Sequence, residues 1–193
     1  MTCIIAAKVE GGCLFAADSG AWETNQSVVM QSTTPKVAKC GPFVLAGAGY
    51  LCHVQQAMRI ARQADSSASL EDLARLIYDA KFPADEGFRL LAYHCGVLAE
   101  LDGSGCLNRP RGDWWCIGGA QSYVTGWLHG RMAERYLPTA GMLAEAVKSA
   151  FEWTGDAKPP VRLWFASNVA GSSLEELSPD PSWSEVLSDG RTS

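Results

Sequence analysis

Several residues in the first quarter of the 193-residue chain have the side chains or positions needed for acyl transfer. Thr2 directly follows Met1, and a small second residue favours removal of the initiator methionine. The exposed threonine would then carry both a hydroxyl nucleophile and a free α-amine. A threonine hydroxyl needs a base to take its proton, and an α-amine with a pKa of about 8 can serve as that base.

Asp18, Lys36 and Gly47 supply the other groups that such a nucleophile needs, and each lies at the end or edge of a predicted strand. A nearby lysine lowers the pKa of a hydroxyl, and an acid keeps that lysine oriented. Glycine lets a backbone N–H approach a tetrahedral intermediate closely. Each residue also has a plain structural interpretation: a turn acid, a solvated strand charge and a close-packing glycine.

The elements that must position these residues begin with short strands. Apolar runs at 3–9 and 13–17 flank Glu10-Gly11-Gly12, and this pattern predicts a hairpin because glycine accepts positive φ at a turn. Further short strands are predicted at 28–30, 36–39 and 42–46.

Two helices and a hairpin are predicted next. Apolar residues recur at helical spacing from 50 to 64, and a second helix runs from Ser69, its N-cap, to Ala80. Residues 88–101 then predict a strand or hairpin that ends in a glycine-rich turn.

The second half of the chain adds strands and helices in the same block-wise order. A strand at 114–117 ends in two glycines, after which Ser122 is expected to cap a helix that continues to Tyr136. A further helix at about 139–153 and a last strand at 161–165 follow. Because strands and helices come in blocks, a layered α+β domain is predicted instead of a doubly wound parallel sheet.

Together these motifs resemble the proteasome β-type and HslV branch of the N-terminal-nucleophile hydrolases, whose bacterial members include HslV, Anbu and a β-proteobacterial proteasome homologue. The acid follows the threonine by 16 residues, as in that family, whereas the lysine follows it by 34 residues instead of 32. The motifs are T-C-I-I-A at 2–6, A-A-D-S at 16–19, K-V at 36–37, A-G-A-G-Y at 46–50 and I-G-G-A at 117–120.

The resemblance implies a fold and a set of site residues. The fold would be a four-layer αββα sandwich over residues 1–170, followed by an acidic tail containing serine and proline at 171–193. Thr2 would be the nucleophile, Asp18 and Lys36 the acid and lysine pair, and Gly47 the donor to the oxyanion. No cofactor and no metal ion are implied.

The chain departs from the family pattern at two places. Gly119 stands where the family has a serine in I-G-S-G, and Ser122 is a candidate replacement if it does not cap the helix. Gly155-Asp156 resembles the turn that carries a second acid, but the serine expected after it is missing.

The function implied by the resemblance is a threonine endopeptidase that hydrolyses unfolded polypeptide inside self-compartmentalised, stacked homo-oligomeric rings. An ATP-dependent unfoldase is an optional partner in that family. Two alternatives remain open at this point. One is a catalytically silent, ring-forming structural homologue, and the other is a small-molecule amidase on the same fold.

Composition excludes several other function classes. The net charge of −5 and pI of about 5.2 provide no broad positive field for nucleic acid or for an anionic membrane surface. Seven cysteines without a C-x-x-C pair, and no secretory signal, indicate a cytoplasmic protein whose thiols are mostly buried and reduced.

Overall fold

A computed structural model describes residues 2–22, 29–31, 35–83, 87–132, 137–154, 160–168 and 173–177. Its first five-stranded sheet is antiparallel, with the N-terminal strand β1 between β10 and β2. The strands, in spatial order, are β10 (Trp114–Gly118), β1 (Cys3–Val9), β2 (Gly12–Ala17), β11 (Arg162–Ser167) and β12 (Leu174–Leu177). The predicted hairpin between β1 and β2 is confirmed, and Gly11 takes φ of +77° at its turn.

The second five-stranded sheet is also antiparallel and follows chain order, because each of its strands pairs with the next one along the chain. Its strands are β5 (Val37–Cys40), β6 (Phe43–Gly49), β7 (Phe88–His94), β8 (Val97–Asp102) and β9 (Leu107–Asn108). A separate two-stranded ribbon consists of β3 (Gly20–Trp22) and β4 (Val29–Gln31). The strand predicted at 28–30 corresponds to β4, although Val28 lies outside the described residues.

The described residues contain four helices, which are α1 (Leu51–Arg62), α2 (Leu70–Asp79), α3 (Gln121–Arg131) and α4 (Ala140–Thr154). Ser69 caps α2 as predicted, and Asp72 completes a capping box with it. None of the helices in the described ranges is long and apolar enough to cross a bilayer.

Ser122 does not cap α3, which corrects the prediction. Gly118 ends β10 with φ of +106°, and the chain turns into the helix so soon that Ala120 is the N-cap, without a side-chain hydrogen bond. Ser122 therefore lies exposed in the first turn. The C-terminal end of this predicted helix, at Tyr136, lies outside the described residues.

Three separate apolar clusters show how the layers are stacked. One fills the space between the helices α1 and α2 and the second sheet, and another lies between α3 and α4 and the first sheet. The third joins the inner faces of the two sheets, where Phe15 of β2 and Leu91 of β7 are fully buried. Three cores separate four layers, so the predicted α+β class and αββα order are confirmed.

β12 is an element that the sequence analysis did not predict, within the segment 171–193 assigned to a tail. Its sequence, Leu-Glu-Glu-Leu, is short and half acidic, so no apolar periodicity marks it. Pairing with β11, from Leu163 opposite Leu177 to Ala166 opposite Leu174, extends the sheet by one edge strand. Apart from 173–177, the residues of that segment lie outside the described ranges.

Candidate active site

Thr2 lies half-buried at the start of β1, where the turn after β10 holds its backbone. The Gly119 N–H donates to the Thr2 carbonyl oxygen at 2.9 Å. Gly118 must be glycine here, because a Cβ at that position would lie 1.8 Å from the same oxygen and its φ of +106° suits few other residues. The residue at the family's serine position, Gly119, thus contributes a backbone donor.

Asp18 follows β2 directly and extends the pairing of β1 with β2 by one residue. Its N–H donates to the Cys3 carbonyl at 3.2 Å, and its Oδ1 accepts the Cys3 N–H at 2.9 Å. The carboxyl group is buried, with a side-chain exposure of 0%. The β1–β2 hairpin therefore holds the Asp18 carboxyl group opposite Cys3, the residue that follows Thr2.

Lys36 joins Asp18 and Thr2 into one cluster. Its Nζ lies 2.6 Å from Asp18 Oδ1 and 3.2 Å from Thr2 Oγ1. Only 11% of the lysine side chain is exposed. The ammonium therefore donates to the carboxylate and to the threonine hydroxyl from a largely buried position.

Burial gives this lysine an altered acidity. Removal from water lowers the pKa of Lys36 from its ordinary value of 10.5, and the attraction of the Asp18 carboxylate opposes part of that shift. A lysine with a lowered pKa next to a hydroxyl can take part in proton transfer or stabilise an alkoxide as it forms.

Gly47 is not placed as the sequence analysis expected. Its N–H donates to the Lys36 carbonyl at 3.1 Å, one residue beyond the pairing of β5 with β6, and a Cβ there would meet the Val54 side chain at 2.2 Å. Gly47 thus holds the backbone of Lys36 and packs against α1. Alternation along β6 directs the N–H of Gly49 to the same side as that of Gly47, and Gly49 lines a pocket with Thr2. Gly49 therefore replaces Gly47 as the candidate oxyanion donor.

That pocket has a volume of about 810 Å³, which is the size of a small-molecule or peptide side-chain site. Its apolar wall contains Phe82 and Phe88, whose rings meet edge to face with centroids 4.7 Å apart. Its polar lining includes Arg89, Asp102, Ser104 and Gln121, and its backbone lining includes Gly49, Gly118 and Gly119. The pocket thus combines a candidate nucleophile, candidate backbone donors and an apolar surface.

Cys3 faces away from this pocket, as strand alternation predicts. Its side chain is fully buried among the residues that pack beneath α3 and α4. A hydrogen bond with the Cys116 thiol, reinforced by burial, raises the pKa of Cys3 well above its usual range. The thiol adjacent to Thr2 is therefore a protonated core group.

The sequence thus predicted three side chains that the structure brings together, but it missed Gly49, Gly118, Arg89 and Gln121 as neighbours of the site. The motif A-G-A-G at 46–49 contains two glycines, and the sequence alone does not distinguish which of them faces Thr2. Of the two candidate substitutes for the family's serine and acid, Ser122 points outward on α3 and Asp156 lies outside the described residues.

Solved structures of similar architecture cover nearly the whole chain. Anbu from Hyphomicrobium sp. strain MC1 matches with a TM-score of 0.68 and 18% sequence identity, over 97% of this chain and 94% of that chain. An Anbu (Gly-1) mutant from the same strain matches with a TM-score of 0.70 and 16% identity, over 98% and 94% respectively. No family model and no curated protein matches the sequence. At this identity the likeness establishes the fold, and Anbu is one of the bacterial branches that the sequence resembles.

Proposed function

We propose that this chain is a proteasome-like N-terminal-nucleophile hydrolase of the Anbu type, and that Thr2 is its nucleophile once Met1 has been removed. The observation that carries the proposal is the contact of Lys36 Nζ with both Thr2 Oγ1 and Asp18 Oδ1. A threonine hydroxyl in contact with a buried lysine–acid pair, beside a pocket of substrate size, is an activated nucleophile.

The reaction is amide hydrolysis in two stages. Thr2 Oγ1 attacks the substrate carbonyl carbon while its proton passes to the Thr2 α-amine. The Lys36 ammonium stabilises the oxygen as it loses its proton, and Asp18 keeps that ammonium in place. The N–H of Gly49 donates to the oxyanion of the tetrahedral intermediate. Collapse returns the proton to the leaving amine and leaves an ester on Thr2, which water then hydrolyses.

The polypeptide substrate and the ring assembly are the finer part of the proposal. A domain of 20.7 kDa cannot enclose a chamber for a polypeptide, so compartmentalised proteolysis requires several copies of the chain. A small-molecule amidase is the second candidate, because the pocket of about 810 Å³ is large enough to bury an entire small ligand.

The test of the nucleophile is the pair of variants Thr2→Ala and Cys3→Ala. Thr2→Ala should reduce amide hydrolysis at least about a thousandfold, which corresponds to roughly 4 kcal/mol, whereas Cys3→Ala should mainly reduce stability because it empties a buried site. Turnover of fluorogenic peptides and of small acyl-amides, together with the intact mass of the processed chain, provides the measurement. Full activity of Thr2→Ala would refute the mechanism, and turnover of acyl-amides alone would favour the amidase.

A further inference from the structure

A chain of polar contacts runs from the first sheet across the second sheet to the wall of the Thr2 pocket. Trp115 Nε1 donates to Glu100 Oε2 at 2.6 Å, and the other carboxylate oxygen of Glu100 lies 3.4 Å from Arg89 Nη1. The same Arg89 nitrogen donates to Gln121 Oε1 at 3.0 Å. Four residues from β10, β8, β7 and α3 thus form one connected network, defined here as the wall network.

The wall network fixes which way the Gln121 amide faces. A guanidinium can only donate, so the carbonyl end of Gln121 must point to Arg89. The amide NH₂ then points away from Arg89, and no hydrogen bond from it to any described residue is formed. Because Gln121 lines the pocket with Thr2, this NH₂ is a donor that a bound molecule can use.

Gln121 is also close in sequence to the backbone that holds the nucleophile. It begins α3, two residues after the Gly119 N–H that donates to the Thr2 carbonyl. A substrate whose scissile carbonyl lies at Thr2 would occupy the same pocket that Gln121 lines. The donor therefore lies beside the path of the substrate.

The charges around Gln121 select the kind of acceptor. Glu100, whose side chain is 13% exposed, balances the charge of Arg89, and Asp102 adds a further carboxylate to the pocket lining. A carboxylate ligand would therefore face no surplus positive charge. A carboxylate ligand would also be repelled by Asp102, whereas a neutral carbonyl can accept the Gln121 N–H without charge repulsion.

We propose that Gln121 is a substrate-binding residue whose side-chain NH₂ donates to a main-chain carbonyl of a polypeptide held beside Thr2, and that Arg89 and Glu100 are positioning residues that orient it. The inference rests on the proposed function and adds to it the part of the substrate that is recognised. Main-chain recognition suits an enzyme acting on polypeptides of varied sequence, because every residue presents the same carbonyl.

The experiment measures acylation of Thr2 by a leucine-containing tripeptide epoxyketone, an electrophile that adds to a terminal threonine, and follows it by intact mass on the Met1-free chain. Gln121→Glu keeps the side-chain shape but replaces the donor with an acceptor. The epoxyketone concentration that gives half the maximal acylation rate should rise at least about tenfold in this variant. The maximal acylation rate should stay unchanged within about twofold, because ground-state and transition-state binding are lost equally. Gln63→Glu, at an exposed position outside the pocket lining, is the control for added charge.

Two further variants separate binding from misfolding. Gln121→Met removes the donor without adding charge and should reproduce the shift. Glu100→Gln should give a smaller rise of about threefold, because it releases Arg89 while leaving Gln121 in place. Thermal unfolding of each variant checks that the fold is retained.

The outcomes distinguish this inference from the proposed function. Unchanged half-saturation in both Gln121 variants, with normal labelling of Thr2, would overturn the role of Gln121 and leave the nucleophile in place. Equal labelling of Thr2→Ala would overturn the proposed function. A wild-type chain that takes no label would overturn both.

Discussion

The pair formed by Lys36 and Asp18 places two charges where water has little access. Removing charges from water costs several kcal/mol per ion, and the 2.6 Å contact together with the hydrogen bond from the Cys3 N–H offsets that cost. Such a pair contributes little net stability, but loss of one partner removes the counter-charge of the other, which stays buried. The main effect of the pair is therefore to hold the Lys36 ammonium against the Thr2 hydroxyl, and its effect on the stability of the fold is small.

The lowered pKa of Lys36 predicts a pH dependence of stability. Between the lowered value and the ordinary 10.5, the unfolded chain binds more protons at this site than the folded chain. The contribution of Lys36 to the free energy of unfolding therefore increases as pH rises from the lowered pKa to 10.5. This contribution is lost as pH falls through the folded pKa. Lys36→Met should reduce this increase of stability with pH. It should also lower the free energy of unfolding at pH 7 by about 3–5 kcal/mol, because the buried Asp18 carboxylate loses its counter-charge.

Urea unfolding of wild type and Lys36→Met from pH 7 to 10 measures both effects. Lys39→Met, at an exposed position on β5 three residues after Lys36, is the control for the loss of one positive charge. An identical pH slope in wild type and Lys36→Met would contradict the assignment of the lowered pKa.

Among the elements, the turn between β10 and α3 determines where Thr2 lies. Gly118→Ala should place a Cβ 1.8 Å from the Thr2 carbonyl oxygen and impose strain at φ of +106°. We expect a loss of stability of about 1–3 kcal/mol and a loss of activity greater than tenfold, because Thr2 must move. Chemical denaturation and peptide turnover are the measurements.

Gly126→Ala is the matched control for that substitution. Gly126 lies inside α3, where an added Cβ meets nothing within 4 Å. The change to alanine should stabilise the protein by about 0.5–1 kcal/mol without affecting activity. Equal effects of the two substitutions would contradict the role given to Gly118.

Ser69 and Ser122, near the starts of α2 and α3, should differ in what they contribute to stability. Ser69 Oγ accepts the Asp72 N–H at 3.2 Å, and Asp72 Oδ2 accepts the Ser69 N–H at 3.0 Å. Ser69→Ala should therefore cost about 1 kcal/mol. Ser122→Ala should cost nothing measurable, because Ser122 lies exposed within the first turn of α3. Thermal unfolding of the two variants checks this contrast, and an equal loss in both would restore Ser122 as a cap.

Local signals predicted the elements that depend on local physics. The glycines after Glu10 marked the first hairpin, and Ser69 marked the start of α2, because each turn or cap is decided by the residues within it. The same signals failed at Ser122, since the start of α3 depends on where Gly118 and Gly119 meet Thr2. That contact joins residues more than 100 positions apart and has no local signature.

For the whole molecule, the site is a product of stacking the two sheets. Thr2, Gly118 and Gly119 come from the first sheet, whereas Gly49, Phe88 and Arg89 come from the second. Sequence motifs predicted Thr2, Asp18 and Lys36 because all three lie in the first quarter of the chain in the family's order, with Asp18 at the family's spacing from Thr2. They could not distinguish Gly47 from Gly49, because the register of β6 against β5 decides which amide reaches the pocket.

Apolar surface on the outer helices favours self-association. Large apolar side chains lie exposed on two outer helices, with Tyr78 of α2 at 66% and Trp153 of α4 at 76% exposure. We expect homo-oligomeric rings with a mass several times 20.7 kDa, and Trp153→Glu should shift the population towards smaller species. Light scattering coupled to size exclusion measures this, and a wild-type monomer at micromolar concentration would remove the compartment from the proposed function.

The position of β1 inside its sheet, between β10 and β2, has a consequence for synthesis on the ribosome. β1, which directly follows Thr2, is translated about 100 residues before its neighbour β10, and β11, which pairs with β2, is translated later still. A nascent chain can form the β1–β2 hairpin early, yet the turn that anchors the threonine backbone does not yet exist. The candidate site around Thr2 is therefore complete only after most of the chain has been released, so under the proposed function a growing polypeptide does not carry a finished copy of it.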